Sequence, residues 1–321
     1  MYDAILLDLD GVIYRGKEPI PGASHALQTW HNTGTPYAFI TNNAARDVEE
    51  IAQTIASFDI HCTPQHVRTS AQAAAEKLAH DIDTNSAVLV LGSEFLRSCV
   101  ASHGFTVITP DNRDWLTQNT PAAVVQGFGP STTWTDISWA ITAVRNGAQY
   151  RPTNPDKAIP TGRGIMPGNG TFVDIVATFS GATPVYAGKP EPTMLTQTID
   201  AMGASNPLMV GDQLETDIEA AVAAGIDSAL TLTGVTSIDA ALRAPQHQRP
   251  TRIVSELPDL LEELPAAEVG PTEARCGSAS VRVEAGVVAH DGDPLLAANA
   301  ALAFMHAHNT DLDAGTLSGQ L

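Results

Sequence analysis

The chain has 321 residues, of which 36 are Asp or Glu and 17 are Lys or Arg, so its formal net charge is −19. Recognition of a phosphate backbone needs clustered cations, so this charge excludes a general nucleic-acid binder and opposes binding to anionic lipid. The same charge opposes an anionic small molecule, unless a local cation reverses the field where that molecule binds.

The composition is that of a globular protein, with 43% hydrophobic residues and a length that suggests two domains with a small appendage. Cys62, Cys99 and Cys276 are far apart and have no metal-ligand or redox spacing, which fits a reducing compartment. The N-terminus lacks the basic and apolar regions of a signal peptide, and no apolar run reaches the roughly 20 residues of a membrane helix. We therefore expect a soluble, cytoplasmic protein.

Short apolar runs alternate with helical patterns, which predicts an α/β fold with a Rossmann-like, doubly wound parallel sheet. The predicted elements of this core, in chain order, are strand 4–9, strand 36–40, helix 44–58, strand 207–210, helix 217–224, strand 228–232, helix 238–243, strand 252–254 and helix 257–264. Uninterrupted apolar strands of this kind are typical of parallel sheets that are covered on both faces.

A second α/β pattern interrupts the core and predicts an inserted cap domain. Its elements are strands near 87–91, 106–108, 122–126 and 149–151 and helices 94–102, 134–146 and 168–179. We predict a discontinuous core of residues 1–79 and 182–264, a C2-type α/β cap of residues 80–181, and a small C-terminal extension of residues 265–321. The extension is predicted to contain a hairpin over 279–288 and a helix over 294–308, and to serve packing or oligomer contact.

Asp8 and Asp10 stand at the end of the first predicted strand, and both project near the strand end while Leu9 points the other way. Two unit charges about 4 Å apart repel by roughly 4 kcal/mol at an effective dielectric constant of about 20, so a pair of carboxylates there needs a cation or a shared proton. By themselves the two acids also fit a capped turn.

Three further groups of polar residues follow predicted strands or a Gly/Pro loop. Thr41 and Asn42 offer a hydroxyl and an amide donor, and Lys189 is a point cation between Gly and Pro. Asp212 and Asp217 add carboxylates that suit a hard cation such as Mg²⁺. Each group alone fits a helix cap or a solvated loop. Their order along the chain, at strand ends that meet at one edge of a parallel sheet, indicates a phosphate site with a metal ion.

These motifs, read in order as DLDGV, TNN, GKP and GDQLETD, resemble the four motifs of the haloacid dehalogenase-like phosphatases. The segments 153–156 and 166–170 resemble the cap region of the NagD-like, class IIA branch, which includes p-nitrophenyl, phosphoglycolate, pyridoxal and glycerol-3-phosphate phosphatases. The resemblance covers about residues 3–264 and implies a Mg²⁺-dependent phosphomonoester hydrolase that acts on a small phosphorylated metabolite.

The resemblance also implies a role for each core residue. Asp8 would be the nucleophile that forms an aspartyl-phosphate, and Asp10 would be the general acid and then the general base. Mg²⁺ would be held by Asp8, the main-chain carbonyl of Asp10 and Asp212, with Asp217 as a ligand or a support. The phosphoryl oxygens would be bound by Thr41, Asn42 and Lys189.

Residues 154–166 are predicted to be the cap loop that lines the leaving-group pocket. Its candidates for selecting a polar or anionic substrate group are Asn154, Asp156, Lys157 and Arg163, and a solvated surface loop is the alternative for each. The extension resembles the arrangement in actinobacterial glycerol-3-phosphate phosphatases, which makes glycerol 3-phosphate the first candidate substrate. Phosphoglycolate, pyridoxal phosphate and sugar phosphates stay open.

Two other functions are compatible with the motifs. A sugar phosphomutase of the same superfamily would transfer phosphate with little release, and a non-catalytic metabolite-binding protein would keep the fold without turnover. Neither nucleic acid nor membrane is an expected partner, and homo-oligomerisation is left open. Between residues 164 and 242 Lys189 is the only Lys or Arg, among nine acids. We therefore expect phosphate binding to depend on Mg²⁺.

Overall fold

The structure, a computed structural model, describes residues 2–263, 265–284 and 287–312. Its strands are β1 (Ala4–Leu7), β2 (Tyr14–Arg15), β3 (Glu18–Pro19), β4 (Tyr37–Thr41), β5 (Val67–Thr69), β6 (Ala87–Leu91), β7 (Thr106–Ile108), β8 (Ala123–Gln126), β9 (Gln149–Pro152), β10 (Ala158–Thr161), β11 (Gly164–Pro167), β12 (Pro207–Gly211), β13 (Asp227–Thr231), β14 (Arg252–Val254), β15 (Ala267–Val269), β16 (Glu273–Cys276), β17 (Ala279–Glu284) and β18 (Val287–Asp291). Met1, Leu264 and residues 285–286 and 313–321 of the predicted domains lie outside the described residues.

The α-helices are α1 (Ala23–Thr33), α2 (Val48–Ala56), α3 (Ser70–Asp81), α4 (Glu94–Ser102), α5 (Arg113–Gln118), α6 (Trp134–Arg145), α7 (Asn169–Ser180), α8 (Thr193–Met202), α9 (Glu219–Ala224), α10 (Ile238–Leu242) and α11 (Pro294–His308). Short 3-10 turns cover Pro64–His66, Gln246–Gln248 and Leu257–Leu261, and a π-helical turn covers Leu214–Ile218. In the described part of the chain no helix is long and apolar enough to cross a membrane.

The largest sheet has six strands in the order β14-β13-β12-β1-β4-β5. β1 pairs in parallel with β12 on one side and with β4 on the other, and β13 and β14 continue the parallel pairing beyond β12. Every residue of β1 and β4 is buried, as expected for central strands that are covered on both faces. The doubly wound parallel sheet predicted from the sequence is confirmed. β1 lies at its topological switch point, where open α/β sheets bind ligands.

The residues divide into two compact units by their internal contacts. The first unit comprises Met1–Phe39, Thr54–Cys62 and Thr198–Leu321, and the second unit comprises Ile40–Gln53 and Thr63–Gln197. This division differs from the predicted core and cap, and the boundaries of the predicted domains, at residues 79, 181 and 264, stay a prediction.

The second unit contains its own parallel sheet, with the strand order β7-β6-β8-β9. Successive residues of β6 face opposite sides of this sheet, as the period of a strand requires. Val88 and Val90 belong to an apolar cluster that includes α3 and α4, whereas Leu89 and Leu91 belong to one that includes α6 and α7. Helices therefore cover both faces, and the α/β pattern predicted over residues 87–179 is confirmed.

The C-terminal extension forms an antiparallel sheet in the order β15-β16-β17-β18, with α11 packed against it. The predicted hairpin is the pair β17 and β18, and α11 has the predicted bounds. Leu302 and Phe304 of α11 share one buried apolar cluster with Leu230 of β13 and Ile253 of β14. The extension therefore contributes to the core of the first unit, which agrees with the predicted packing role.

Substitution of Leu302 by Ala should destabilise the protein, because this side chain is fully buried in that shared cluster. We expect the free energy of unfolding to fall by about 2–5 kcal/mol, from lost burial and from the cavity that remains. Denaturation in urea measures the change. Val269→Ala is the control, since Val269 lies in the same extension with 38% of its surface exposed. Equal effects of the two substitutions would contradict a shared core.

Local structure differs from the prediction at several places. The predicted helix 257–264 is a 3-10 turn, Leu257–Leu261, with Pro258 in its first turn. The predicted loop 154–166 contains the antiparallel hairpin of β10 and β11. The helices α1, α3, α5 and α8 were not predicted. The buried face of α3 is built mainly from alanine, which gives almost no apolar periodicity.

Candidate active site

Three buried carboxylates meet at the end of the first unit's parallel strands. Asp8 follows β1, Asp212 follows β12, and Asp217 lies in the π-helical turn after β12. One carboxylate oxygen from each lies within 4.8 Å of the others, and the three residues are only 8%, 1% and 1% exposed. Among the described residues this is the one group of three His, Cys, Asp or Glu side chains with that geometry. So much buried negative charge fits a hard divalent cation.

Main-chain N–H groups hold Asp217 in this cluster. Its Oδ2 atom accepts hydrogen bonds from the N–H groups of Asp212 and Gln213, both at 3.1 Å. The chain must fold back tightly to bring the π-helical turn there, and a Cβ atom on Gly211 would lie 2.1 Å from the Cβ atom of Asp217. Glycine at position 211 is therefore required by the close approach of the two segments.

The loop of residues 233–236 surrounds Asp212. The N–H group of Val235 donates to Asp212 Oδ2 at 3.0 Å, and the hydroxyl of Thr236 donates to the Asp212 carbonyl at 2.6 Å. A Cβ atom on Gly234 would lie 1.9 Å from Asp212 Oδ2. This loop fixes the rotamer of the carboxylate. In metal sites generally, hydrogen bonds of this kind orient a ligand and tune its affinity.

Asp10 is exposed, in contrast to Asp8, and Leu9 between them is 1% exposed. The predicted alternation of these side chains is therefore observed. Gly11 follows with a positive φ of 82°. Its N–H group donates to the carbonyl of Tyr14 at 2.8 Å, and its carbonyl accepts a hydrogen bond from the hydroxyl of Thr233 at 2.7 Å. The Asp10 carboxylate is therefore not part of the buried cluster.

In the second unit, Lys189 is 2% exposed and its Nζ atom donates to the carbonyl of Ile40 at 3.1 Å. The peptide bond between Lys189 and Pro190 is cis. Thr41, the last residue of β4, is 6% exposed, and its hydroxyl oxygen accepts the N–H of Asn43 at 3.1 Å. Burial of an ammonium group is costly, so a lysine in this position points to a functional role.

Asn42 forms hydrogen bonds both with the segment that carries Lys189 and with the predicted cap loop. Its Nδ2 atom donates to Asp156 Oδ1 at 2.9 Å and to the carbonyl of Lys189 at 3.0 Å. Its carbonyl accepts Asn154 Nδ2 at 2.8 Å and the hydroxyl of Ser70 at 2.6 Å. The structure thus brings Asn154 and Asp156 of the predicted cap to Asn42 and Lys189.

The other two predicted cap residues lie elsewhere in the second unit. Lys157 Nζ is 2.5 Å from Asp174 Oδ1, and both side chains are more than half exposed. Arg163 is exposed in the turn between β10 and β11. The four residues predicted to select substrate therefore divide into a pair beside Asn42, of which Asn154 is buried and Asp156 is partly exposed, and an exposed pair of cations.

Sequence reasoning missed the residues that support these side chains. The 233–236 loop around Asp212, Ser70 beside Asn42, and Asn169, whose Nδ2 donates to the carbonyl of Asn154 at 2.9 Å, were not predicted. A Thr-Gly-Val-Thr segment directly after a predicted strand was the one local signal for the first of them. Uncharged residues that directly follow a predicted strand can therefore also indicate a place in the site.

The cysteines are not candidates for nucleophile or metal ligand. Burial raises the pKa of the Cys62 thiol to about 12 and that of Cys99 to about 11, and it also raises the pKa of Cys276. A thiol must lose its proton to attack or to bind a metal, so all three are inert near neutral pH. The candidate chemistry rests on carboxylates.

Comparison with known proteins gives two family-model matches and several similar proteins. Residues 5–106 match the family model of haloacid dehalogenase-like hydrolases, and residues 186–260 match the HAD-hydrolase-like model. A D-glycerol 3-phosphate phosphatase of Mycobacterium tuberculosis is 38% identical over 270 residues, which cover 84% of this chain and 74% of that protein. The 5'-nucleotidase YutF of Bacillus subtilis is 38% identical over 237 residues, which cover 73% of this chain and 89% of the relative.

A solved structure is similar over nearly the whole chain. It is a glycerol phosphate phosphatase from Mycobacterium tuberculosis, crystallised in complex with magnesium. The TM-score is 0.84 at 35% sequence identity, and the match covers 94% of this chain and 89% of that one. The extension, residues 265–321, is 57 of 321 residues, so a match of this length includes most of it.

Proposed function

The chain belongs to the haloacid dehalogenase-like hydrolases, and from that membership we propose that it hydrolyses a small phosphomonoester, with glycerol 3-phosphate as the first candidate substrate. Phosphoric monoester hydrolysis is the reaction named for its phosphatase and nucleotidase relatives. Glycerol 3-phosphate is favoured because a relative that is 38% identical is named for it, and because the match to the magnesium-bound glycerol phosphate phosphatase takes in most of the extension.

The observation that carries this proposal is the cluster of Asp8, Asp212 and Asp217. Three oxygens within 4.8 Å of one another provide the oxygen donor set of a Mg²⁺ site, and the surrounding glycines admit nothing bulkier beside them. We propose these three residues as Mg²⁺ ligands, together with the main-chain carbonyl of Asp10. When bound, the ion would offset negative charge on the phosphoryl oxygens.

The proposed reaction has two steps on the first unit's own carboxylates. In the first, an oxygen of Asp8 attacks phosphorus, the bond to the substrate's ester oxygen breaks, and Asp10 gives that oxygen a proton. In the second, Asp10 takes a proton from water, the water oxygen attacks phosphorus, and Asp8 and inorganic phosphate are released. The burial of Asp8 and the exposure of Asp10 support this division of roles.

Thr41, Asn42 and Lys189 are proposed to bind the phosphoryl group. Support comes from their resemblance to the family motifs and from the place of Thr41 at the end of β4, a parallel neighbour of β1. Since both amide hydrogens of Asn42 are donated within the second unit, its contribution to phosphate binding falls to the main chain. Lys189 supplies the local positive charge in a segment otherwise rich in acids.

The expected partner is therefore a small phosphorylated metabolite, and we propose neither nucleic acid nor membrane as a partner because of the charge of −19. A cytoplasmic location is proposed from the cysteine spacing. The described cysteines are free thiols, which supports that location. Homo-oligomerisation stays open, and the mass of the protein in solution tests it.

A screen of phosphometabolites tests the substrate. We expect Mg²⁺-dependent release of inorganic phosphate from glycerol 3-phosphate with a higher kcat/KM than from phosphoglycolate, pyridoxal phosphate, a 5'-nucleotide or a sugar phosphate. Removal of Mg²⁺ by EDTA should lower the rate by about 10²-fold or more, because a bound metal supplies several kcal/mol of transition-state stabilisation.

The same screen distinguishes the alternatives. Transfer of phosphate between sugar positions with little free phosphate would indicate a phosphomutase. Binding of a phosphometabolite without any turnover, with or without Mg²⁺, would indicate a non-catalytic protein. A preference for another phosphoester would reject glycerol 3-phosphate and leave the phosphatase assignment in place.

A further inference from the structure

The Asn42 carboxamide links two segments that are far apart in the sequence. Its Nδ2 atom donates one hydrogen bond to the Asp156 carboxylate at 2.9 Å and the other to the main-chain carbonyl of Lys189 at 3.0 Å. Asn42 itself is held by hydrogen bonds to its carbonyl from Asn154 and Ser70. All of these residues belong to the second unit.

Asp156 determines which way this amide faces. A carboxylate can only accept hydrogen bonds, so it selects the Nδ2 end of Asn42 and fixes the orientation of the group. A bond to an ionised acceptor is also stronger than one to a neutral acceptor. If the amide turned over, its oxygen would face both the carboxylate and the Lys189 carbonyl, and three acceptors would oppose one another. The carboxylate therefore enforces the bond from Asn42 to Lys189.

The main chain at Lys189 has little freedom to move independently of Asn42. A Cβ atom on Gly188 would lie 2.6 Å from Asn42 Oδ1 and 2.6 Å from the Thr153 carbonyl, so this segment packs directly on Asn42. Lys189 is 2% exposed, and its Nζ atom reaches the carbonyl of Ile40. A shift of Asn42 is therefore transmitted to the position of the ammonium group.

We propose that Asp156 is a positioning residue for Lys189, acting through the carboxamide of Asn42, and that it does not select the substrate. The inference rests on the proposed role of Lys189 in phosphate binding. It assigns to Asp156 a role that is common to all phosphoesters, because every substrate presents the same phosphoryl group. Selection of the leaving group is left to other cap residues, among which Lys157 and Arg163 are exposed.

The test measures kcat/KM for glycerol 3-phosphate, a sugar phosphate and p-nitrophenyl phosphate, and the inhibition constant of inorganic phosphate, in four proteins. These are wild type, Asp156→Ala, Lys189→Met and the double variant. We expect Asp156→Ala to lower kcat/KM by about 10- to 100-fold, the typical effect of losing a hydrogen bond to a charged group, and by the same factor for every substrate. Inorganic phosphate should inhibit it correspondingly more weakly.

The double variant supplies a readout that a merely structural role would not move. If Asp156 acts through Lys189, Asp156→Ala has no further effect once Lys189 is absent, so the double variant matches Lys189→Met. Asp156→Asn should retain part of the activity, because the amide can still accept from Asn42. Asp111→Ala, which removes an exposed acid of the same unit, should match wild type.

Additive losses in the double variant, or a changed ranking of substrates in Asp156→Ala, would overturn this inference. Unchanged activity of Asp156→Ala would overturn it as well. These results are distinct from failure of the proposed function, which would show as absence of phosphate release by the wild-type protein with Mg²⁺. Thermal midpoints identify a variant that has not folded, and Asp156→Asn, of nearly the same shape, then decides the outcome.

Discussion

Asp8→Asn should abolish phosphate release, with kcat lowered by at least about 10³-fold, as expected for loss of a covalent nucleophile. The carboxamide is a poor nucleophile, and the substitution also removes one of the three oxygens that form the proposed metal site. The measurement is release of p-nitrophenol in saturating Mg²⁺. Asp200→Asn is the matched control, since Asp200 is an exposed acid of the same unit, and it should retain full activity.

The same variant has a second expected effect that does not depend on turnover. Two unit charges about 5 Å apart repel by roughly 3 kcal/mol at an effective dielectric constant of about 20. Removal of one charge from the cluster should therefore raise the thermal midpoint in EDTA and reduce the stabilisation by Mg²⁺. Wild-type rates in Asp8→Asn would show that another residue is the nucleophile, and an unchanged response to Mg²⁺ would show that Asp8 is not a ligand.

Gly234→Ala should impair the proposed metal site without replacing any of its proposed ligands. The new methyl group would lie 1.9 Å from Asp212 Oδ2 and 2.2 Å from the Asp212 Cβ atom, so the carboxylate or the 233–236 loop must move. We expect the Mg²⁺ concentration for half-maximal activity to rise by about 10- to 100-fold, the usual effect of disturbing the residues that orient a metal ligand. Overpacking should also lower stability by about 1–3 kcal/mol.

Titration calorimetry with Mg²⁺ checks the affinity independently of catalysis. Gly270→Ala is the control in the same unit, because a Cβ atom there would meet Glu273 at 3.5 Å, an ordinary contact. Wild-type Mg²⁺ affinity in Gly234→Ala would mean that Asp212 adapts freely, and the loop would then have no part in orienting it.

Much of this fold and site could be predicted because local sequence and long-range structure agree. β1 and β12 are short apolar runs that are each followed directly by aspartate, and parallel strands deliver such residues to one edge. The alternation of Asp8, Leu9 and Asp10 followed from the period of a strand. The charge pattern around Lys189 predicted a metal, because acids without one would repel phosphate.

What could not be predicted depends on contacts between distant segments. Asp156 and Asn42 are 114 residues apart, and no local pattern reveals that one carboxylate fixes the other side chain. The 233–236 loop has no charge to attract attention, since it acts through backbone groups and through the absence of a Cβ atom. The hairpin of β10 and β11 was hidden by Pro160, Gly162 and Gly164, which favour turns when considered one by one.

The apolar cluster beneath α11 also contains Leu214 and Ile218, from the turn that carries Asp217. The extension and the π-helical turn that carries Asp217 therefore pack against each other in one cluster, and a change in either must fit the other. In a chimaera that joins residues 1–263 to the extension of a relative, a mismatch of one methyl group in this cluster would shift the turn at the base of the proposed metal site. A chimaera joined at this boundary would therefore have to preserve activity as well as folding. We expect the extension and the turn that carries Asp217 to have diverged together.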